Sequence, residues 1–554
     1  MSDTPRNGNH PYIPKLAEQL GKGRIGRRDF LRTATLLGVS AGTAYAMADK
    51  LMGTSSAALA QSGTPKKGGN LRISMNVKEI TDPATYDWSE KGNIARHVIE
   101  SLTQVGSDNV TRPFLAEGWE TSDDLKTWTF RLRKGVKWSN GDEFGADDVI
   151  FNFERWLDPA TGSSNLGRFS SMVIEEGGKK KMAPGAIEKV DAHTVRFKLQ
   201  TPDIALPESM GDYPALIAHR DFVKQGGNLT ENPVGTGPFA LKDFRVGETA
   251  RFERRGDPYW GGDVYLDGVT YIDHGDDHSA WLAALASNQV DLLYRLITEN
   301  VPAVKQMSHL QIYETVTGQT GVARMKVTEK PFDDVRVRQA IQACIDHKRL
   351  LELAYQGFGV PGEDHHVSPV HPEYAELPPM KQDYDKAKKL LAEAGYANGL
   401  EITIDCVTQP SWEPNTCLAI AEMVKPAGIN LKVNILPGGT YWDRWTTTPF
   451  GFTSWTHRPL GVQVLNLAYR SGVAWNESSY SNPEFDKLLD EAMGVLDPEK
   501  RKEKMVPVEK LLQQDAVIIQ PYWRSIFTAS NKKVKGFKIQ PAEEMHVNKI
   551  WLDA

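Results

Sequence analysis

Cysteine is scarce in this chain, which has only Cys344, Cys406 and Cys417. An odd number cannot form a complete set of internal disulfides, so a disulfide-stapled scaffold is excluded. Cys344 follows apolar residues at helical spacing and Cys406 alternates with isoleucines, so both patterns predict buried positions. A Cys406–Cys417 disulfide stays open, because a sequence does not give the distance between two residues.

A surplus of positive charge is also missing. The 554 residues include 65 lysines and arginines against 71 acids, a formal net charge of −6. Proteins that bind nucleic acids need a basic surface, so we expect no nucleic-acid partner. Apolar residues make up 40% of the chain. This composition is typical of a soluble globular protein, and the length predicts two or three packed units.

Common catalytic motifs are absent. The chain has no P-loop, no Gly-x-Ser-x-Gly and no His-Glu-x-x-His, which are the signatures of phosphate binding, serine hydrolysis and zinc proteolysis. We expect a protein without catalysis and without a cofactor. An enzyme that pairs acids from distant parts of the sequence stays open.

One histidine-rich loop is the best candidate for a metal site. It contains Asp364-His365-His366 and His371, with prolines at 361, 369 and 372. The prolines predict an extended, solvated loop, whereas metal ligands must converge on one point. Asp276-Asp277-His278 is a weaker candidate. We therefore expect no metal.

Long hydrophobic runs are missing too. An apolar stretch at about 33–48 contains glycines and is too short and weakly apolar to span a membrane. It follows Arg27-Arg28-Asp29-Phe30-Leu31-Arg32, which resembles a twin-arginine export signal. Residues 1–60 are expected to be a signal peptide cleaved after Ala58-Leu59-Ala60, with Ala44-Tyr45-Ala46 as the alternative site. Without a cysteine in this segment, we expect a periplasmic protein with no lipid anchor.

Strands and helices alternate in the remaining sequence. Apolar residues repeat every second position in five segments, which predicts strands at 70–75, 127–132, 193–199, 401–407 and 431–435. Helical spacing over 384–394, and a cap of Asn482 followed by Pro483 and Glu484, predict helices. This mixture predicts an α/β fold.

The clearest motif is Asn-Pro-Val-Gly-Thr-Gly-Pro-Phe at 232–239. Its prolines preset φ, and its glycines permit backbone angles that other residues resist, so it predicts a rigid bend before a strand. Further blocks lie in order at 115–155, 334–341 and 385–396. Together they closely resemble the large extracytoplasmic solute-binding proteins of bacterial ABC importers, the oligopeptide, dipeptide and nickel family. The resemblance runs from about Gly69 to Phe537.

The resemblance implies a type II, large-cluster periplasmic binding fold with two lobes around a cleft. The expected boundaries are lobe I at 61–99, 187–295 and 508–554, an inserted subdomain of lobe I at 100–186, and lobe II at 296–507. It implies a monomeric receptor that captures a peptide or another small organic solute. The receptor would deliver the solute to the membrane subunits of an ABC importer.

Two departures from the dipeptide-binding relatives concern the ligand. Trp455-Thr456 matches their strand and loop, but His457 and Arg458 replace the acids that hold the ligand's ammonium group. After the strand that ends near Val407, residues 409–414 lack the arginine that holds the peptide carboxylate. A solute other than a peptide, such as an amino-acid or sugar conjugate or another organic anion, is therefore a second expectation.

Arg458 could pair with a carboxylate or phosphate, Glu413 with a cation, and tryptophans could line the pocket. Residues 79–87 would face the cleft from lobe I. The expected ligand-binding residues are Trp455, Arg458, His457, Trp412, Trp475, Glu413, Tyr86 and Asn476. Two other functions stay open on the same scaffold: an extracytoplasmic enzyme or binder of a metal or metal chelate, and a chaperone-like peptide holder.

Overall fold

The computed structural model describes residues 10–53 and 64–553. The predicted cleavage site at 58–60 lies outside the described residues, whereas the alternative site at 44–46 lies within a helix.

The α-helices of the described ranges are α1 Ile13–Gly21, α2 Arg27–Leu36, α3 Ala41–Met52, α4 Ser89–Ala95, α5 Ala146–Trp156, α6 Asn165–Arg168, α7 Leu206–Ser209, α8 His278–Ala286, α9 Val301–Lys305, α10 Val335–Ala343, α11 His347–Tyr355, α12 Tyr384–Glu393, α13 Trp412–Val424, α14 Gly438–Trp442, α15 Gly461–Ala468, α16 Pro483–Met493 and α17 Pro498–Gln514.

The strands of the same ranges are β1 Asn70–Ser74, β2 Glu100–Ser101, β3 Thr103–Val105, β4 Thr111–Pro113, β5 Ala116–Thr121, β6 Thr127–Leu132, β7 Val173–Glu176, β8 Lys179–Met182, β9 Ile187–Asp191, β10 Thr194–Lys198, β11 Leu216–Ile217, β12 Phe239–Arg245, β13 Thr249–Arg254, β14 Gly268–Ile272, β15 Leu292–Leu293, β16 Leu310–Met325, β17 Gly359–Pro361, β18 Leu400–Val407, β19 Ile429–Leu436, β20 Phe450–Trp455, β21 Ile518–Ile519, β22 Tyr522–Asn531, β23 Val534–Lys535 and β24 Trp551–Leu552.

The predicted α/β fold is confirmed, and so are the strands and helices predicted from periodicity. Strand β6 has the predicted bounds, and β1, β10, β18 and β19 agree with the prediction to within one or two residues at each end. The Asn482 side chain accepts hydrogen bonds from the Glu484 and Phe485 amides at 3.0 and 3.4 Å. It therefore caps α16 as the sequence predicts.

One mixed sheet runs through both lobes. Its strand order is β12-β13-β14-β1-β15-β22-β16-β20-β18-β19, and β17 and β21 pair at its side. Strands β16 and β22 pair antiparallel from Leu310–Asn531 to Thr320–Trp523, with a register shift between Val316 and Gln319. This long pair connects the strands of the predicted lobe I with those of the predicted lobe II.

A separate four-stranded sheet has the order β5-β6-β10-β9. Strands β9 and β10 lie just beyond residue 186, where we expected the inserted subdomain to end. Because β10 pairs with β6 along its whole length, we propose that this subdomain extends through β10.

The bend at 232–239 leads into β12 as predicted, but glycine is required in it for a reason other than the expected backbone angles. A Cβ atom on Gly235 would lie 1.8 Å from the Val98 carbonyl oxygen, and one on Gly237 would lie 2.4 Å from that of His97. Neither glycine has a positive φ. Close approach of two backbones, rather than an unusual backbone angle, therefore requires glycine here.

Helices α1 to α3, within the predicted signal peptide, pack against the body of the protein. The Gln19 amide donates to both carboxylate oxygens of Asp497 at 3.2 and 3.1 Å. The Trp119 indole donates to the Leu36 carbonyl at 2.9 Å, and Arg32 is buried. Export and cleavage of this segment stay predictions.

The three cysteines are buried free thiols, in agreement with the burial that we expected of Cys344 and Cys406. No helix among the described residues has the length and apolar character needed to cross a membrane.

Candidate functional site

A cavity lies where several strands end. Strands β18, β19 and β20 run parallel as neighbours, so the chain leaves all three at one edge of the sheet. Segments after these strands, together with residues from the predicted lobe I, line a cavity with an empty volume of about 1260 Å³, open solvent at its mouth included. Ligands commonly bind outside the carboxyl ends of strands in α/β sheets.

Six tryptophans give the cavity its apolar wall. Four of them form a chain of edge-to-face contacts with Trp455 at one end: Trp455–Trp475 at 5.9 Å, Trp475–Trp445 at 6.4 Å and Trp445–Trp442 at 5.9 Å between ring centroids. Trp442 also meets Trp88 at 5.0 Å. With the predicted boundaries, this last contact joins lobe II to lobe I. The sixth ring belongs to Trp412.

A buried ion pair fixes Trp455 in this wall. The Trp455 indole donates to Glu477 Oε1 at 2.9 Å, and Arg324 Nε donates to Glu477 Oε2 at 2.9 Å. Arg324 and Glu477 are both buried. A buried charge pair that is broken costs several kcal/mol, so this contact holds the ring in one orientation.

Arg458 lines the cavity but lies against a carboxylate. Its Nε is 3.1 Å from Asp212 Oδ2, and Arg168 Nε donates to the same oxygen at 2.8 Å. Burial alone would raise the pKa of Asp212, but the two guanidinium groups outweigh it and hold that pKa below its ordinary value. With the predicted boundaries, the Arg458–Asp212 pair links lobe II with lobe I.

His457 lies outside the cavity lining. Its Nδ1 accepts a hydrogen bond from the Gly318 amide at 2.8 Å, and its Nε2 lies 2.8 Å from Asn109 Oδ1. Burial holds the pKa of His457 well below its ordinary value, so the ring is neutral with Nε2 as the donor. Both ring nitrogens therefore already have hydrogen-bond partners within the protein.

Trp412 and Glu413 begin α13 and line the cavity, and each has a buried polar atom without a partner in the described part of the chain. Trp412 Nε1 and Glu413 Oε2 have no hydrogen-bond partner within the described ranges, and the two residues are 4% and 1% exposed. Burial raises the pKa of Glu413 to about 8. Its carboxyl group is therefore mainly protonated at neutral pH.

Arg524 stands beside these two residues. Its guanidinium lies over the Trp412 ring, 4.1 Å from the centroid, and Nη2 donates to Gln319 Oε1 at 2.6 Å. Arg524 Nε has no hydrogen-bond partner among the described residues, and none of their carboxylate oxygens lies within 4.0 Å of this guanidinium. Arg524 is thus a cavity-lining cation without an ion-pair partner.

The third arginine of the cavity is paired. Arg295 Nε and Nη2 donate to the two carboxylate oxygens of Glu543 at 2.6 and 2.8 Å, and Nη1 is 3.2 Å from Glu90. Such a two-pronged pair is among the stronger ionic contacts. Its charge is matched by the protein.

The structure brings together five of the eight expected site residues: Trp455, Arg458, Trp412, Trp475 and Glu413. The other three do not line the cavity. Tyr86 is buried in the core and donates to the Ile80 carbonyl at 3.1 Å, and the Asn476 amide binds the carbonyls of its own loop, including that of Tyr480 at 2.7 Å. Ligand binding by all eight stays a prediction.

Sequence reasoning missed several residues that line the cavity: Trp88, Trp442, Trp445, Arg295 and Arg524. The sequence could have indicated Trp442 and Trp445, since both come after β19 and are three residues apart, as on one face of a helix. Trp88 directly follows the segment 79–87 that we expected to face the cleft. Arg524 is the one charged residue of strand β22, which also indicates a functional position.

The histidine-rich loop is buried rather than solvated, which corrects the sequence-based expectation. His347 lies 2.8 Å from Asp364 Oδ1, His366 lies 2.9 Å from the Tyr469 hydroxyl, and His371 binds the Arg458 carbonyl. Throughout residues 10–53 and 64–553, no group of histidine, cysteine and acid side chains could hold a metal. At the weaker candidate, Asp277 caps α8.

A mixed sheet continuous through two lobes, with a tryptophan-lined cavity between them, defines a periplasmic binding protein of the two-lobe class. Solved structures agree. The murein tripeptide binding protein MppA of Escherichia coli has a TM-score of 0.79 and 22% identity, covering 88% of this chain and 99% of that chain. DppA of Helicobacter pylori in complex with a peptide has a TM-score of 0.77 and 24% identity, covering 88% and 99%.

The chain belongs to the bacterial extracellular solute-binding proteins, family 5, whose middle region matches residues 110–472. Heme-binding protein A of Haemophilus influenzae is 30% identical over 466 residues, 79% of this chain and 83% of that protein. The dipeptide-binding protein of Escherichia coli is 27% identical over 501 residues, 86% and 92%. The predicted family and receptor function are confirmed.

Proposed function

We propose that this protein captures an organic solute between its two lobes in the periplasm and delivers it, unchanged, to the membrane subunits of an ABC importer. The observation that carries the proposal is the cavity, which has tryptophans of both predicted lobes in its wall. A pocket walled by aromatic faces with a few polar groups is suited to a small organic ligand.

Closure of the lobes gives the importer a signal that solute is bound. A solute that touches both lobes binds the closed form better than the open form, so it shifts the population toward closure. With the predicted boundaries, Trp88–Trp442 and Arg458–Asp212 are contacts between the two lobes. The closed surface is then what the membrane subunits recognise.

A peptide is the first candidate for the solute. Among the similar proteins, two are a dipeptide-binding protein and a glutathione-binding protein, and another is a heme-binding protein. The names differ in ligand, which agrees with a common scaffold whose cavity residues set the choice. The changed residues at 409–414 and 457–458 keep a different organic anion as the second candidate.

The solute is tested by purifying the protein from the periplasm and measuring its mass under native conditions. An intact organic molecule released at one per protein is the expected result. A molecule released in altered form, or a metal at one per protein, would contradict the proposal and favour an enzyme or a metal binder. Known candidates are then added back, and bound ligand raises the melting temperature.

The export route is part of the proposal. We expect a freely diffusing monomer, exported by the twin-arginine pathway without a lipid anchor. Changing Arg27 and Arg28 together to lysine removes the paired arginines, so the protein is expected to stay in the cytoplasm. Changing Arg24 to lysine is the matched control. Export that survives the double change would contradict this route. A mature protein that begins at Met47 instead of Gln61 would place cleavage at the alternative site.

A further inference from the structure

The three arginines of the cavity differ in how the protein satisfies them. Arg295 is held by Glu543 and Glu90, and Arg458 by Asp212. Arg524 has no carboxylate oxygen of the described residues within 4.0 Å. Arg524 is partly buried, and its Nε is fully buried without an acceptor among these residues, which is costly until an acceptor meets it. Arg524 is therefore the arginine of the cavity for which a bound ligand could supply the counter-ion.

The polar atoms beside Arg524 are also without partners, and they are donors. Trp412 Nε1 can only donate a hydrogen bond, and it is buried at the cavity wall without an acceptor. Glu413 Oε2 is unpartnered as well, and a protonated carboxyl group donates through its hydroxyl. A buried unpaired donor costs free energy until an acceptor arrives. Arg524 lies over the Trp412 ring, and Glu413 is the next residue in the chain, so one acceptor group with several lone pairs could meet all three donors.

A carboxylate has this chemistry. It bears two oxygens with about four acceptor positions and pairs with guanidinium through charge-assisted hydrogen bonds. An ammonium group would meet a like charge at Arg524 and a neutral acid at Glu413. The tryptophan faces could attract a cation, but the buried acids Glu90 and Glu543 are already paired with Arg295. The other acids of the lining, Asp87 and Glu299, are exposed to solvent.

We propose that the cavity binds a solute that carries a carboxylate group, with this carboxylate on Arg524, Trp412 Nε1 and Glu413, and a flat or apolar body against the other tryptophans. The inference rests on the proposed receptor function and specifies the class of its ligand. It differs from the expectation for Arg458, whose side chain is only 2% exposed and lies against Asp212.

The test compares each acid with its own amide, which removes the charge and keeps the shape. The probes are Ala-Phe and Ala-Phe amide, and indole-3-propionate and its amide, titrated by calorimetry into the purified full chain. The wild type is expected to bind each acid about 10-fold or more tightly than its amide, since hydrogen bonds to charged groups contribute that much. Arg524→Gln is expected to reduce this preference to less than about 3-fold.

Two further variants make the comparison specific. Arg251→Gln changes an arginine on β13 that is 51% exposed and pairs with Glu253, so it is expected to keep the full preference. Trp412→Phe removes the indole N–H and keeps a ring, and it is expected to weaken binding of the acids by about 3- to 10-fold with little change for the amides. It supplies the test if Arg524→Gln does not fold.

Each other result contradicts the inference. Equal binding of acid and amide by the wild type, a preference that survives Arg524→Gln and Trp412→Phe, or no binding of either acid at millimolar concentration would overturn it. The native mass separates this failure from failure of the receptor function. A co-purified solute without an anionic group would overturn the carboxylate site and leave the receptor function standing, whereas the absence of any bound or binding solute would count against both.

Discussion

Arg524 and Arg458 line the same cavity, but the protein treats their charges differently. Arg458 lies 3.1 Å from Asp212, which also accepts from Arg168. Arg524 stacks on Trp412, and its guanidinium Nη2 donates to Gln319 rather than to a carboxylate. A position on a cavity wall therefore does not by itself make a ligand-binding residue. What counts is whether the protein already supplies the counter-charge.

The largest effect is expected from removing the carboxylate of Asp212. Asp212→Asn leaves Arg168 and Arg458 buried without a counter-ion, and such losses cost about 3–5 kcal/mol. Urea unfolding measures the change. Asp263→Asn, at an acid that is 65% exposed, is the control and is expected to change the free energy of unfolding by less than about 0.5 kcal/mol. Equal effects of the two substitutions would show that Asp212 is not the counter-ion that stabilises Arg168 and Arg458.

A smaller effect is expected from Arg458→Gln. Asp212 keeps its bond to Arg168, so the loss in unfolding free energy is expected to be about 1–3 kcal/mol. Arg524→Gln removes a charge that lacks an ionic partner in the described structure, and its expected cost is below about 1 kcal/mol. Both are measured by urea unfolding without ligand. An Arg524 variant that is the less stable of the two would contradict the account.

The pH dependence of stability tests the protonated state of Glu413. Burial raises its pKa from the ordinary value of 4.5 to about 8 in the folded protein, so between these values the folded state holds a proton that the unfolded state has released. Stability therefore falls as pH rises from about 4.5 to 8, by up to about 1.4 kcal/mol per unit from this group. Its charged neighbours are Arg524 and Arg295.

Glu413→Gln is the matched control, since it keeps the shape and cannot ionise. The slope of unfolding free energy against pH is expected to be less negative in this variant, and its advantage over the wild type is expected to grow toward pH 8. Identical slopes would show that Glu413 is already ionised at neutral pH.

The smallest effect concerns Tyr86, which we expected from sequence to bind ligand. It is buried outside the cavity and its hydroxyl donates to the Ile80 carbonyl. Tyr86→Phe is expected to reduce the free energy of unfolding by about 1 kcal/mol and to leave the affinity for solute unchanged. A large loss of affinity with unchanged stability would restore the expected ligand contact.

Periodicity and resemblance predicted the fold well, because alternation and capping are local. The α/β class, the bend before β12 and the strands that end at the cavity all follow from short segments. Trp412, Glu413 and Trp455 could be predicted to face the cavity because each lies just after, or at the end of, such a strand. The exception among local features is the bend itself, where close contact with the His97–Val98 backbone explains the glycines.

Charge balance could not be predicted, because it depends on residues that meet only in the folded chain. Asp212 lies far from Arg458 in sequence, and no pattern near residue 458 predicts this ion pair. The same holds for His457, whose two nitrogens bind Gly318 and Asn109, and for Arg524, whose lack of an acid is visible only in three dimensions. The loop at 364–371 is a further example. Its prolines predict a solvated loop, but the structure buries its histidines.

The most direct test of the account is a crystal structure of the protein with the solute that it retains through purification. We expect the solute between the lobes, its apolar body against Trp442, Trp445, Trp455 and Trp475, and a carboxylate within hydrogen-bond distance of Arg524. A carboxylate held by Arg458 instead, with Asp212 displaced, or a solute bound outside this cavity, would contradict it.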